Sequence, residues 1–125
     1  MPRREGPVLV VEDDPDLRAL EAELLSSAGY RVTTAADGLE ALDRAEEERP
    51  ALVLLDMRMP RMDGWKFAAA FRERYGDACP IVVVTAAEDA RRRAEEVGAS
   101  GWLAKPFDVD EVLREVERHV ASPAS

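Results

Sequence analysis

An α/β fold, a doubly wound sheet of five parallel strands flanked by five helices, is what the sequence predicts, on three observations. Short apolar runs alternate with segments of helical period along the whole chain. The connections between them are short, and no repeat or low-complexity stretch intervenes. At 125 residues the chain has the size of one domain and can bury a sizeable core. Strands that alternate with helices pair in parallel, with helices on both faces of the sheet.

The first strand is PVLVV (residues 7–11), closed by the acids Glu12, Asp13 and Asp14. A helix begins at Pro15, because proline suits the first helical position and Asp14 can cap it. Leu17, Leu20, Leu24 and Leu25 are spaced for its inner face, and Ala28-Gly29 ends it. RVTTA (31–35) is a β-branched, half-polar strand. Asp37-Gly38 opens the second helix, with Leu39, Leu42 and Ala45 inward and Arg49-Pro50 at its end. ALVLL (51–55) is the most apolar strand and belongs at the centre of the sheet. Residues 64–75 form the third helix, with Trp65, Phe67, Ala68 and Phe71 inward. PIVVV (80–84) is a second central strand. Residues 88–97 make the weakest helix, since only Ala90, Ala94 and Val97 lie on its apolar side. Residues 100–103 are a short strand, and 108–120 the last helix, with Val109, Val112, Val116 and Val120 inward. The domain expected from this pattern spans residues 7–121, after an extension (1–6) and before a tail or linker start (122–125).

The totals exclude several classes. A net charge of −9 opposes direct nucleic-acid binding by bulk electrostatics. The one dense basic spot, Arg91-Arg92-Arg93, is flanked by acids and reads as a solvated helix face. No apolar run is long enough to span a membrane, and MPRREGP lacks the apolar segment of a signal peptide, so a cytoplasmic location is expected. A single cysteine, Cys79, excludes an internal disulfide and disfavours structural zinc.

The reactive groups gather after the strands. In an open doubly wound sheet, ligands bind outside the carboxyl ends of the strands. Glu12 and Asp13 come after the first strand, Asp56 after the third, Thr85 after the fourth and Lys105 after the fifth. Carboxylates brought together repel one another unless a cation sits among them. Oxygen donors of this kind suit a hard cation, above all Mg²⁺, with Mn²⁺ as an alternative. A metal there would keep Asp56 ionised and leave one oxygen free to attack phosphorus, giving an acyl phosphate. The Lys105 ammonium and the Thr85 hydroxyl could then meet the phosphoryl oxygens. Asp56 lies too far before the third helix to be its cap, and Asp14 can cap the first, which frees Glu12 and Asp13 for the metal.

The segments VLVVEDDP, LVLLDMRMPRMDGW, IVVVTA and GASGWLAKPF together resemble the receiver domain of two-component response regulators, from about Val8 to Val120. Single-domain chemotaxis-type regulators are the nearest in kind. The resemblance implies a flavodoxin-like sheet of order 2-1-3-4-5 and a signalling protein, not an enzyme in the ordinary sense. It implies that Asp56 is the phosphoacceptor, Asp13 the principal metal-binding acid and Glu12 its partner. The backbone carbonyl of Arg58 would complete the metal site. Thr85 matches the switch hydroxyl, Lys105 the phosphate-binding lysine and Trp102 the aromatic switch position. The implied donor is the phosphohistidine of a sensor histidine kinase or a phosphotransfer protein. The implied output is a downstream protein target or effector domain, met by the face of the fourth helix, fifth strand and fifth helix; a phosphorylation-dependent homodimer is compatible with it.

The chain departs from the family pattern in two places. The interval from Thr85 to Lys105 is slightly short, and Trp102 is bulkier than the usual ring. Arg58 and Ala87 flank the path of an attacking water, and Ala87 cannot orient one, so slow self-dephosphorylation is expected. Two other classes compete. An aspartate-nucleophile phosphatase would need an acid where Arg58 stands, and a phosphorylation-independent interaction module would lack site residues that this chain has.

Overall fold

The computed structural model of the chain describes residues 5–57 and 63–120. Strands and helices alternate in the order β1 Val8–Val11, α1 Pro15–Ser27, β2 Val32–Ala35, α2 Gly38–Glu47 and β3 Leu52–Asp56. They continue as α3 Gly64–Tyr75, β4 Ile81–Ala86, α4 Ala90–Val97, β5 Gly101–Lys105 and α5 Val109–Glu117. The strands form one parallel sheet of order β2-β1-β3-β4-β5, the fold expected from the sequence. β4 and β5 run further than their apolar runs suggest, because their ladder continues through Thr85↔Ala104 and Ala86↔Lys105. Thr85 and Lys105 are therefore held by strand backbone, as is Asp56 at the last position of β3.

Strand alternation divides the interior into two cores. Val8 and Val10, Leu52 and Leu54, and Val82 and Val84 face α1 and α5, where Leu25, Val112 and Val116 cover them. Leu9 and Val11, Val53 and Leu55, and Ile81 and Val83 face the other way, against α2, α3 and the Ala94 side of α4. Helix starts agree with the sequence signals. The side chain of Asp14 accepts from the N–H groups of Asp16 and Leu17, Asp37 from Glu40 and Asp63 from Lys66. Asp108 and Glu111 form a reciprocal capping box at α5.

Three inward assignments need correction. In α1 Leu20 is 59% exposed, while Glu21 is buried at 3% exposure. At 3.6 residues per turn Leu20 lies roughly 140° around the axis from the fully buried Leu25, whereas Glu21 lies one turn directly before it. The leucine spacing is wide enough to fit two helix phases, and packing against the sheet selects the one that buries Glu21. Leu39 and Val109 are also exposed. Both stand in the first turn of their helix, and the buried apolar side chains begin later, at Ala41 in α2 and at Val112 in α5.

α4, with its thin apolar stripe, is tied to α3 by polar contacts. The Arg93 guanidinium lies over the Trp65 ring, 5.0 Å from its centroid. The Trp65 indole donates to Glu96 (3.0 Å), which holds that carboxyl below its usual pKa with help from Arg93. Arg72 donates to the Gly98 carbonyl (2.8 Å) at the helix end. The Arg91–Arg93 cluster is paired throughout, to Glu95, Asp89 and Glu96, as a solvated face should be.

The phase of α1 has a measurable consequence. Leu25→Ala should cost about 2–5 kcal/mol in urea unfolding, while Leu20→Ala should change stability by less than about 0.5 kcal/mol. Equal costs would mean that the other phase is populated.

Candidate functional site

A cavity of about 550 Å³ opens at the carboxyl edge of the sheet and is lined by Glu12, Asp13, Leu17, Asp56, Thr85 and Lys105, with Asp14, Ala86, Glu88 and Asp89 completing the wall. All the sequence-derived candidates among the described residues converge here except Trp102. Glu12 continues β1, its N–H donating to the Ala35 carbonyl (3.0 Å). Its own carbonyl accepts from Arg18 (2.9 Å), and its carboxylate accepts from the Asp14 N–H (3.2 Å). Asp56 is carried by β3 in register with Val84, one residue before Thr85. Gly64 fixes the loop return behind it: the Gly64 N–H donates to the Met57 carbonyl (3.2 Å). A Cβ at Gly64 would fall 2.8 Å from the Met57 Cα, so only glycine lets α3 approach so closely.

Glu12, Asp13 and Asp56 each offer a carboxylate oxygen, all within 4.8 Å of one another. Glu12 and Asp56 are buried and Asp13 is exposed, so the group is held by the sheet and open on one side. An all-oxygen set that is partly buried and partly open suits a hard cation that keeps some of its water. Across the cavity the Lys105 ammonium reaches Glu12 Oε1 at 3.1 Å. Burial favours the neutral amine, but the charges of Asp56, Glu12 and Glu21 outweigh it and raise the Lys105 pKa above its usual value. The Lys105–Pro106 bond is cis.

The remaining candidates are placed less centrally. Thr85 is buried at the mouth of β4. Trp102 projects from β5 and is 45% exposed, in an outward position. Arg58, with Met59 and Met62, lies outside the described residues. His119 stands beyond the end of α5 against Glu115 (3.4 Å) and does not line the cavity. Glu21 is a group that the sequence pattern passes over: a carboxylate interrupting the Leu17–Leu25 stripe at helical spacing is the one signal it offers. Burial raises its pKa, with a contribution from Glu12 opposed by Lys105, to about 7.

A family model for the response regulator receiver domain matches residues 8–117. The chain belongs to the response regulator receiver family. A receiver is a component of two-component signalling and not a classical enzyme. Response regulator MprA of Mycobacterium sp. (strain KMS) is 42% identical over 108 residues, 85% of this chain and 46% of that protein. The receiver thus spans about half the length of these curated relatives. Sporulation initiation phosphotransferase F of Bacillus subtilis (strain 168) is 37% identical over 90% of this chain and 92% of its own. Among solved structures, Vibrio cholerae chemotaxis protein CheY4 superposes with a TM-score of 0.83 at 35% identity, covering 94% of this chain and 100% of that one. The receiver domain of the sensor histidine kinase PA1611 from Pseudomonas aeruginosa PAO1 has a TM-score of 0.82 at 34% identity, covering 98% and 100%, and carries a magnesium ion in its active-site cleft. No helix among the described residues of this receiver is long and apolar enough to cross a membrane.

Glu21 makes the stability of this receiver depend on pH. Folding raises its pKa from the ordinary 4.5 to about 7, so the native state holds the proton more tightly than the unfolded chain. Stability from this group is greatest below pH 4.5 and is lost as pH rises through 7, by on the order of 3 kcal/mol. Glu21→Leu, unfolded with urea in a chelating buffer, should therefore gain more over the native chain at pH 8 than at pH 5. An equal gain at both would show that Glu21 does not titrate between them.

Proposed function

We propose that this receiver accepts a phosphoryl group on Asp56 in a Mg²⁺-dependent reaction and thereby switches its partner-binding surface. The observation that carries the reading is the meeting of Glu12, Asp13 and Asp56 within 4.8 Å of one another, with Lys105 on Glu12 across the same cavity. Glu12, Asp13 and Asp56 would hold the cation, with the Arg58 carbonyl as a further donor. Bound there, Mg²⁺ would neutralise the acids and the incoming phosphoryl oxygens; the site gives no added support to Mn²⁺.

The chain's own residues account for the rest. One oxygen of Asp56 attacks phosphorus, the bond from phosphorus to the donor nitrogen breaks, and an acyl phosphate results. Burial of Asp56 at the end of β3, with the Lys105 ammonium acting on it, keeps the carboxylate oriented at the cavity. Lys105 then moves from Glu12 toward the new phosphoryl oxygens, and Thr85 offers its hydroxyl from β4. Thr85 and Lys105 lie on adjacent strands in continuous register, so a shift of one is felt by the other. The change reaches α4, β5 and α5 through this pair, and Trp102 on β5 is placed to report it. Two states must pre-exist for the phosphoryl group to bias.

The donor is proposed to be the phosphohistidine of a sensor histidine kinase or a phosphotransfer protein, acting in the cytoplasm. The recipient of the signal is a downstream protein or an effector domain met at the α4-β5-α5 face, with homodimerisation on phosphorylation as one form of output. Self-dephosphorylation is proposed to be slow, since Ala87 carries no group to orient a water.

Intact mass after incubation with Mg²⁺ and a small acyl-phosphate donor should show one added phosphoryl group on the native chain and none on Asp56→Asn. Chelation before the donor is added should abolish it. If the native chain neither gains the group nor binds beryllofluoride, the phosphorylation-independent module replaces this reading. Lys105→Ala should weaken beryllofluoride binding by on the order of 2 kcal/mol, the worth of a hydrogen bond to a charged group. An unchanged affinity would remove Lys105 from the phosphoryl site.

A further inference from the structure

The buried carboxyl of Glu21 has no part in the chemistry above. Leu17, Glu21 and Leu25 succeed one another at one-turn intervals on α1. Leu17 lines the acidic cavity and Leu25 is in the core, so Glu21 lies beneath the cavity floor. The sheet brings two charged groups to the same face. Val10 and Leu103 are in the core against α1 and α5, and alternation turns Glu12 and Lys105, two residues after each, the same way. α5 presents Val112, Leu113 and Val116 to that core, and its one inward carboxylate, Glu115, lies against Gly101 at the other end of β5 from Lys105. Glu12 from β1 and Lys105 from β5 are thus the charges that act on Glu21.

A purely structural role fits this carboxyl badly. Its Oε2 is buried with no hydrogen-bond partner among the described residues. A leucine would fill the stripe with no polar atom to satisfy. The negative charge does act on Lys105, adding to those of Asp56 and Glu12 in holding the ammonium charged. On the reading of Asp56 as phosphoacceptor, we propose that Glu21 is a positioning residue for Lys105. With Glu12 it holds the ammonium toward the sheet in the resting site, and a phosphoryl group on Asp56 must draw the ammonium away from both. Glu21 makes and breaks no bond itself; it sets how readily the resting site gives up its lysine.

The test is calorimetric binding of beryllofluoride in saturating Mg²⁺ at pH 8, for the native chain, Glu21→Gln and Glu21→Leu, each repeated with Lys105→Ala. Both Glu21 variants should bind roughly three- to tenfold tighter than the native chain, the effect of removing one partly screened charge from a protein interior. Without Lys105 the gain should fall to about twofold or less. Native affinity in both variants would overturn the proposal, as would a gain of undiminished size without Lys105. A gain in Glu21→Leu alone would also overturn it, by marking a packing effect. A native chain that does not bind beryllofluoride would instead remove the acceptor reading on which the proposal rests.

Discussion

Crowding of negative charge at one edge of the sheet, answered by a single lysine from the far strand, is the constraint to which the other features answer. Glu12, Asp13 and Asp56 stand within 4.8 Å of one another, and Lys105 pairs with Glu12 over 93 residues of sequence. Such a cluster opposes folding until a counter-charge enters it. Its position must therefore be secured by parts of the molecule that carry no charge. The central strands supply that security: β1, β3 and β4 are apolar on both faces and each bears its site residue within one position of the end of its ladder. A functional carboxylate on a strand end has little freedom to retreat into water, which keeps the site assembled in spite of its repulsion.

The two cores divide the labour. Against α1 and α5 lie the residues that share a sheet face with Glu12 and Lys105. Against α2, α3 and α4 lie those that share a face with Thr85. The carboxyl edge of the sheet thus carries Glu12 and Lys105 on one face and Thr85 on the other. α4 buries little apolar surface, and its attachment to α3 depends on the Trp65–Arg93 stack and the Arg72 contact at Gly98. Contacts of this exposed polar kind contribute about 1 kcal/mol or less each. Only the small side chains of Ala90 and Ala94 fix this helix in the core, so it is the least firmly packed of the five.

The same economy explains why α3 begins where it does. Gly64 presses on the backbone of Met57 directly after Asp56, and Trp65 next to it reaches across to α4. The backbone leaving Asp56 is therefore in contact with the residues that anchor α4. Glu21 stands at the opposite pole. It is a carboxyl kept in the core, where burial raises its pKa and where Glu12 and Lys105 act on it.

The sequence by itself determined the class of fold, the strand and helix order and the identities of Glu12, Asp13, Asp56, Thr85 and Lys105 as the groups that line one cavity. Those features are local: apolar runs, cap residues and the group at the end of each strand are all read over a few positions. Tertiary structure decided the rest. It chose the phase of α1, which turned Leu20 out and Glu21 in, because four leucines at mixed spacing satisfy two helix faces and only packing on the sheet distinguishes them. It extended β4 and β5 through Thr85 and Lys105, because a ladder is a property of two strands together. It left Leu39 and Val109 exposed where hydrophobicity argued for burial, since the first turns of α2 and α5 have no opposing surface to cover them, and it set Trp102 outward on β5. Burial and charge coupling depend on partners distant in sequence, and that is why Glu21 became visible only in three dimensions.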